Sequence, residues 1–567
     1  MFRHTLTAAT AAAILLSLVG CAGNKDYAPQ PIPAKNVILF IGDGMHAQHE
    51  VAASRYLTGT DNGLVWHVFP KQAQVSTWDV TTYDRYAWKK GGTAFKDSAF
   101  YSATGYDETL GGVQPSTLAP VPSEAYYLDA LPKFGTNPAS GHAQPATDSA
   151  SAGTALACGF KTDDGNIAWL AGDPKTGGNR TKNDGSLRTI AEIAREDYGK
   201  AIGVVSTVPF THATPATFVS HNVSRSNYYT GIKGYTGLGI ADEIITVTKP
   251  DVVIGGGHPM LDNPTYSTNG GYISKAMHDA LKTGKDFVFA ERQAGVDGAA
   301  SLQAAADKAA AEGKRLFGLY GGPGGNFEPP IPDKNAANPS CTRGTVENPL
   351  LKDATLAALK VLKQNPKGFF LMVEQGDIDW ANHANDYQWM IGTMWDLNEA
   401  IKATLAYLDQ PGDDLTRENT LILVTSDHGN SYMQLNASKK LGKGQLPEQK
   451  PTAPGITRER LVWRDESETL AFVHQGRELP MGTNTLGYVS PWTYAGGEVT
   501  YGSPNHTNEL VTLAVTGPSL CLDLVKGCEA SWYRFGSQNT LDNTQLFHVM
   551  HRAWGAPSPA ALKPAGR

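Results

Sequence analysis

Asp43, Thr214, Glu374, Asp379, His383, Asp427, His428 and His506 are donors of the kind that hold divalent cations. Histidine mixed with carboxylate suits zinc, whereas the oxygens of Asp43, Thr214 and Glu374 suit a harder ion such as magnesium. Asp379 and His383 stand four residues apart, which places both on one face of a helix. Ser149 lies in Asp148-Ser149-Ala150-Ser151-Ala152-Gly153, a run of small residues that continues to Gly159 and reads as a short helix capped by Asp148. At such an N-terminus, free peptide N–H groups and the helix dipole favour an anion, so Ser149 could be a nucleophile whose covalent product is negative. Taken alone, the stretch reads more readily as a close-packed capped helix. Arg225, eleven residues beyond Thr214, offers a planar guanidinium able to grip two oxygens of one phosphate. Without the metal-type residues it would read as a salt bridge on a helix face.

These residues need a scaffold that gathers them. Unbroken apolar runs recur at 36–41, 201–207, 251–257, 369–373 and 421–425, each the pattern of a strand buried on both faces. Asp43 follows the first, His212 and Thr214 the second, Glu374 the fourth, and Asp427 with His428 the fifth. In an open parallel sheet, ligands bind at the carboxyl ends of the strands, where these side chains would meet. The repeated order of strand, polar residue and helix predicts an α/β fold, doubly wound, with a mostly parallel central sheet and helices on both faces. Residues 36–567 read as a single domain with insertions at about 60–145 and 431–500, the second a crown-like subdomain. Residues 300–312 read as a solvated outer helix, and the tail from 535 as a helix followed by a Pro/Ala-rich end. Two metals about 4 Å apart flanking a serine would suit in-line phosphoryl transfer.

On these motifs the chain resembles the alkaline phosphatase family. The resemblance is carried by Phe40-Ile41-Gly42-Asp43-Gly44-Met45, Asp148-Ser149-Ala150, His212-Ala213-Thr214-Pro215 with Arg225, the Glu374/Asp379/His383 spacing, Asp427-His428 and His506-Thr507. It spans about residues 36–520 and implies that fold, homodimers, and hydrolysis of broad phosphate monoesters through a phosphoseryl intermediate at Ser149. By the same resemblance one zinc takes Asp379, His383 and His506, and a second takes Asp43, Asp427 and His428. Magnesium takes Asp43, Thr214 and Glu374, and Arg225 holds phosphate. His212 and Trp380 depart from the best-known enterobacterial pattern, which has Asp and Lys there, and match some marine bacterial members. An imidazole is a poorer partner for hydrated magnesium, so His212 predicts weak retention of that ion.

Two rival readings compete. A sulfatase needs a Cys-x-Pro-x-Arg-like context that Cys341-Thr342-Arg343 does not supply, and related diesterases lack the third metal site and the phosphate-gripping arginine. A binding protein that kept only the fold would be expected to have lost Ser149 or a ligand, and none is missing.

The 567 residues are 41% hydrophobic and 18% charged, a globular balance, and the net charge of −7 gives no footprint for nucleic acid. Residues 1–23 read as an export signal: Arg3 and His4, an apolar stretch from Ala8 to Val19, then Leu18-Val19-Gly20-Cys21, which resembles a bacterial lipoprotein box. Lipidation at Cys21 would anchor the protein, with 24–35 as tether, and Ala22 in that family implies the outer membrane facing the periplasm, or the cell surface. In an oxidising compartment Cys521 and Cys528 read as a disulfide, Cys158 as a buried thiol, and Cys341 is unassigned.

Overall fold

The computed structural model describes residues 34–80, 146–171, 185–229, 238–259, 271–456, 490–502, 504–507, 509–529 and 540–556, with short strands at 473–474 and 477–478. Cys21, the leader and most of the tether therefore lie outside the described residues, as does 81–145.

Ten strands form the main sheet: β1 (Asn36–Gly42), β2 (Lys71–Ser76), β3 (Ala201–Pro209), β4 (Val252–Gly256), β5 (Phe287–Glu291), β6 (Arg315–Leu319), β7 (Phe369–Gln375), β8 (Thr420–Thr425), β9 (Val511–Thr516) and β10 (Thr540–Asp542). Their spatial order is β10-β2-β9-β8-β1-β7-β3-β4-β6-β5. Only β9 runs antiparallel to its neighbours; every other pairing in the sheet is parallel. Among the described residues, the helices of seven residues or more are α1 (Ala47–Thr58), α2 (Ser149–Cys158), α3 (Ile190–Tyr198), α4 (Ala213–Val219), α5 (Lys275–Lys282), α6 (Gly298–Glu312), α7 (Leu351–Leu362), α8 (Asp377–His383), α9 (Tyr387–Leu408), α10 (Ser519–Glu529) and α11 (Asn543–Ala553).

Every residue of β1 is buried, because strand side chains alternate and both faces are covered. Ile38 and Phe40 join a core with Ala52 of α1, Leu302 of α6, Leu359 of α7 and Leu397 of α9. Val37, Leu39 and Ile41 join another with Leu156 of α2, Ile190 of α3, Ala216 of α4 and Leu546 of α11. This is the doubly wound arrangement read from the apolar runs. Strands β8, β1, β7 and β3 are consecutive and parallel, so their carboxyl ends share one edge. That edge is where the chemistry collects.

Several expectations need correction. Residues 60–80 are no excursion: β2 is a sheet strand, with Ala73 and Val75 in the core, and Trp66 is buried behind it. Helix α6 is an outer helix but not merely solvated, since Leu302, Ala306 and Ala309 are buried. Cys521 and Cys528 both fall on α10. Seven helical steps separate them by about 10 Å, beyond the roughly 7 Å that a disulfide spans. Cys521 is a buried free thiol, as are Cys158 and Cys341. The segment expected at 431–500 is, where described, an antiparallel ribbon: Met433–Leu435 pairs with Val499–Tyr501, and Gln449–Pro451 with Trp492–Tyr494. The tail contributes the edge strand β10 ahead of its helix, α11.

A charged clamp holds α3. His221 Nδ1 lies 2.8 Å from Glu243 Oε1 and Nε2 3.5 Å from Glu192 Oε2. Burial opposes the imidazolium, but the two carboxylates outweigh it and raise His221 to about 10. A raised folded-state pKa adds stability that is complete below the unfolded value of 6.5 and lost as pH climbs through about 10. Wild type is therefore expected to lose stability, on the order of a few kcal/mol, between pH 7 and pH 10, and His221→Gln to show a flatter melting-temperature profile there. Parallel profiles would refute the charged clamp.

Candidate active site

Helix α2 is capped by Asp148, whose side chain accepts from Ser151 N, and it stops at Gly159, where φ is 76°. All ten of its residues are buried. The run of small side chains has a packing reason: a Cβ on Gly153 would lie 2.7 Å from Thr217 Oγ1 of α4. Ser149 is the first residue of the helix, and its Oγ is 3.1 Å from His428 Nε2. Asp148 also reaches sideways. Its Oδ2 accepts from Gly165 N at 2.9 Å and from Arg225 Nη1 at 3.1 Å. Arg225 is thereby tied to the residue that caps α2, only 2% exposed, with Nη2 3.5 Å from His212 Nε2. The His212 ring meets Trp380 edge-on, with centroids 5.8 Å apart.

Asp379, His383 and His506 close into one buried group. His383 Nε2 is 3.0 Å from Asp379 Oδ2, and His506 Nε2 is 3.4 Å from Asp379 Oδ1. Each Nδ1 faces a backbone carbonyl, His383 that of Pro504 at 2.5 Å and His506 that of Thr147 at 2.8 Å. A carbonyl only accepts, so each Nδ1 carries a proton and each ring turns its Nε2 inward. The two Nε2 atoms stand 3.1 Å apart. The carbonyl-backed ring is the usual setting of a metal-bound histidine. His506 reaches this place from far along the chain because Asn430 and Gly429 pair with His506 and Thr507 at the base of the ribbon.

Asp43, Asp427 and His428 form a second buried group. His428 Nε2 lies 3.4 Å from Asp43 Oδ1 and 3.2 Å from Asp427 Oδ2, while its Nδ1 faces Gly429 O at 3.1 Å. The rings of His428 and His506 stack at 3.5 Å, so the two groups adjoin. Gly44 allows this closeness. Its φ is +67°, and a Cβ there would come within 2.7 Å of Asp379 Oδ1.

Asp43 faces the third trio too, accepting from Thr214 Oγ1 at 3.3 Å on Oδ2. Glu374 Oε2 accepts from Ser206 Oγ at 2.5 Å. Burial, reinforced by the Asp427 carboxylate, pushes Glu374 up to about 7. Among the described residues, Glu374 Oε1 is buried without a hydrogen bond. Clustered negative charge with a bare acceptor oxygen is what cations would balance. The residues present therefore fit two zinc-type sites and one oxygen-rich site.

The sequence-derived donors thus meet at one edge of the sheet. Several of their supports were not anticipated. Ser206 stands opposite Glu374 in the β3–β7 register, and Asn430 Nδ2 donates to Asp379 Oδ1 at 2.5 Å. The grip of Asp148 on Arg225 was missed as well. A capping aspartate was legible, but its second oxygen acts on a residue 77 positions away.

A family model described as alkaline phosphatase matches residues 113–553. Alkaline phosphatase 3 of Bacillus subtilis is 31% identical over 296 residues, covering 52% of this chain and 51% of that protein. The alkaline phosphatase of Escherichia coli is 30% identical over 369 residues, covering 60% of this chain and 69% of its own length. The chain thus spans about half the length of the Bacillus relative. Among solved structures, the alkaline phosphatase of Thermus thermophilus superposes with a TM-score of 0.54 at 19% identity, covering 92% of each chain. A cold-active alkaline phosphatase from Shewanella sp. gives 0.51 at 20% identity, covering 92% of this chain and 99% of that one. These likenesses show a shared fold.

Proposed function

The chain belongs to the alkaline phosphatase family, and from that membership we propose that it hydrolyses phosphate monoesters through a phosphoseryl intermediate on Ser149. The observation that carries this reading is the seat of Ser149: its Oγ is 3.1 Å from His428 Nε2, beside two adjoining histidine–carboxylate groups. Asp379, His383 and His506 would hold one zinc, Asp43, Asp427 and His428 a second, and Asp43, Thr214 and Glu374 a magnesium. When bound, these ions supply Lewis acidity that lowers the pKa of a hydroxyl and offsets charge on phosphate and leaving oxygens.

The chain's own groups do the rest. Arg225, oriented by Asp148, grips two non-bridging oxygens of the substrate. Ser149 Oγ attacks phosphorus in line, the Oγ–P bond forms, and the bond to the leaving alcohol breaks. The seryl phosphate then sits at the N-terminus of α2, where peptide N–H groups and the helix dipole favour its charge. Water attacks phosphorus from the opposite side, the Oγ–P bond breaks, and inorganic phosphate leaves. Arg225, Thr214 and Glu374 favour a monoesterase over a diesterase, because a diester has one fewer free oxygen to grip.

The test offers the purified protein matched nitrophenyl mono- and diesters at alkaline pH, before and after chelation, with zinc then restored. Monoester cleavage that is lost to chelator and regained with zinc is the expected result. A diester preference would refute the role given to Arg225, and no turnover of either would revive a binding protein.

His212 supports a further expectation: magnesium is lost on long dialysis while zinc is retained, as elemental analysis would read. Stoichiometric magnesium after dialysis would overturn it. The same reading includes a homodimer and an exported protein anchored through Cys21, supported by Leu18-Val19-Gly20-Cys21. Among the described residues no helix is long and apolar enough to cross a membrane.

A further inference from the structure

A third histidine–carboxylate group lies apart from the residues described above. His258 follows the glycines that end β4, His278 is on α5, and Glu291 is the last residue of β5. Their ligand-type atoms all lie within 4.8 Å of one another. His258 Nε2 is 3.2 Å and His278 Nε2 2.6 Å from the same oxygen, Glu291 Oε2. We propose that His258, His278 and Glu291 form a separate site for a zinc-type divalent cation.

Four observations carry this. The donor set, two imidazoles and one carboxylate, is that of Asp379, His383 and His506, and its spacing is alike: 2.6 and 3.2 Å here against 3.0 and 3.4 Å there. Tetrahedral zinc with ligands at 2.0–2.2 Å sets neighbouring donors roughly 3.3 Å apart, so small adjustments admit the ion. Both rings are buried, His258 6% and His278 2% exposed, and His258 Nδ1 makes no hydrogen bond among the described residues. Among the described residues, the polar tie of that ring is to the carboxylate alone. Finally, Lys282 Nζ lies 3.3 Å from Glu291 Oε1, occupying that oxygen and leaving Oε2 to the imidazoles.

The site has a structural consequence. Of the eight residues of α5, only His278 and Leu281 are buried. A cation shared by His278, His258 and Glu291 would tie this thinly anchored helix to the ends of β4 and β5. His258 N also donates to Tyr320 O at 2.9 Å, and Gly257 N to Gly325 O at 2.6 Å. The tie therefore extends to the loop whose Asn326 donates to Asp377 at the start of α8.

The test loads the full chain with zinc, dialyses it, and counts metal in wild type, His278→Ala and Glu291→Gln. The expected result is one zinc equivalent fewer in both variants, with monoester turnover within about twofold of wild type. Glu291→Gln keeps the size and hydrogen-bonding capacity of the side chain, so it serves even if His278→Ala fails to fold. A second measurement titrates cobalt(II) into Asp379→Asn/Asp427→Asn protein, whose catalytic groups are disabled. A tetrahedral cobalt spectrum should persist there and vanish when Glu291→Gln is added. Equal zinc counts in wild type and Glu291→Gln, or a cobalt spectrum indifferent to Glu291→Gln, would reduce the cluster to a hydrogen-bonded structural knot. Neither count depends on what the enzyme hydrolyses.

Discussion

Ser149→Ala is expected to lower monoester turnover by about 10^3-fold or more, the scale on which removal of a nucleophile acts. In the proposed reaction this hydroxyl attacks; it lies at the N-terminus of a helix and 3.1 Å from His428 Nε2. Alanine is an excellent helix residue, and the Asp148 cap acts through Ser151 N rather than through Ser149. The variant should therefore fold and retain zinc at the wild-type stoichiometry. Acid-quenching wild type with labelled substrate should trap a seryl phosphate that the variant cannot form. Turnover above about a tenth of wild type, or phosphate trapped on another residue, would remove Ser149 from the reaction.

Asp43→Asn should be nearly as damaging for a different reason. Its Oδ1 faces His428 Nε2 at 3.4 Å while its Oδ2 accepts from Thr214 at 3.3 Å, so one carboxylate serves two neighbouring sites. Asparagine keeps the shape and removes the charge. The expected outcome is loss of metal from both sites that share Asp43, together with a fall in turnover on the order of 10^2- to 10^3-fold. Elemental analysis separates the two effects, because Asp379, His383 and His506 should still retain zinc. Full metal content with low turnover would make Asp43 an orienting residue only.

Much of this site was legible before any fold was known. A ligand chemistry of four carboxylates, one threonine and three histidines can be read from residue types, and their positions after apolar runs point to the carboxyl edge of a parallel sheet. The five central strands were legible because burial on both faces leaves an unbroken apolar run. Strand β2, Lys-Gln-Ala-Gln-Val-Ser, was not, since its outer position buries only part of it and its alternation is weak. The Cys521–Cys528 pairing failed because nearness along a chain is not nearness in space once a helix holds the two residues two turns apart.

By itself, the sequence determined the donor residue types, the serine at a helix start, the doubly wound class and the family. Those follow from local properties: side-chain type, apolar periodicity and capping, each written in a few adjacent residues. Tertiary structure alone decided that His506 stacks on His428, that Asp148 accepts from Arg225, and that Ser206 supports Glu374. It also brought together His258, His278 and Glu291, which no local motif marks. Strand register and the pairing of distant segments set those contacts, and both depend on how the whole chain packs rather than on any one stretch of it.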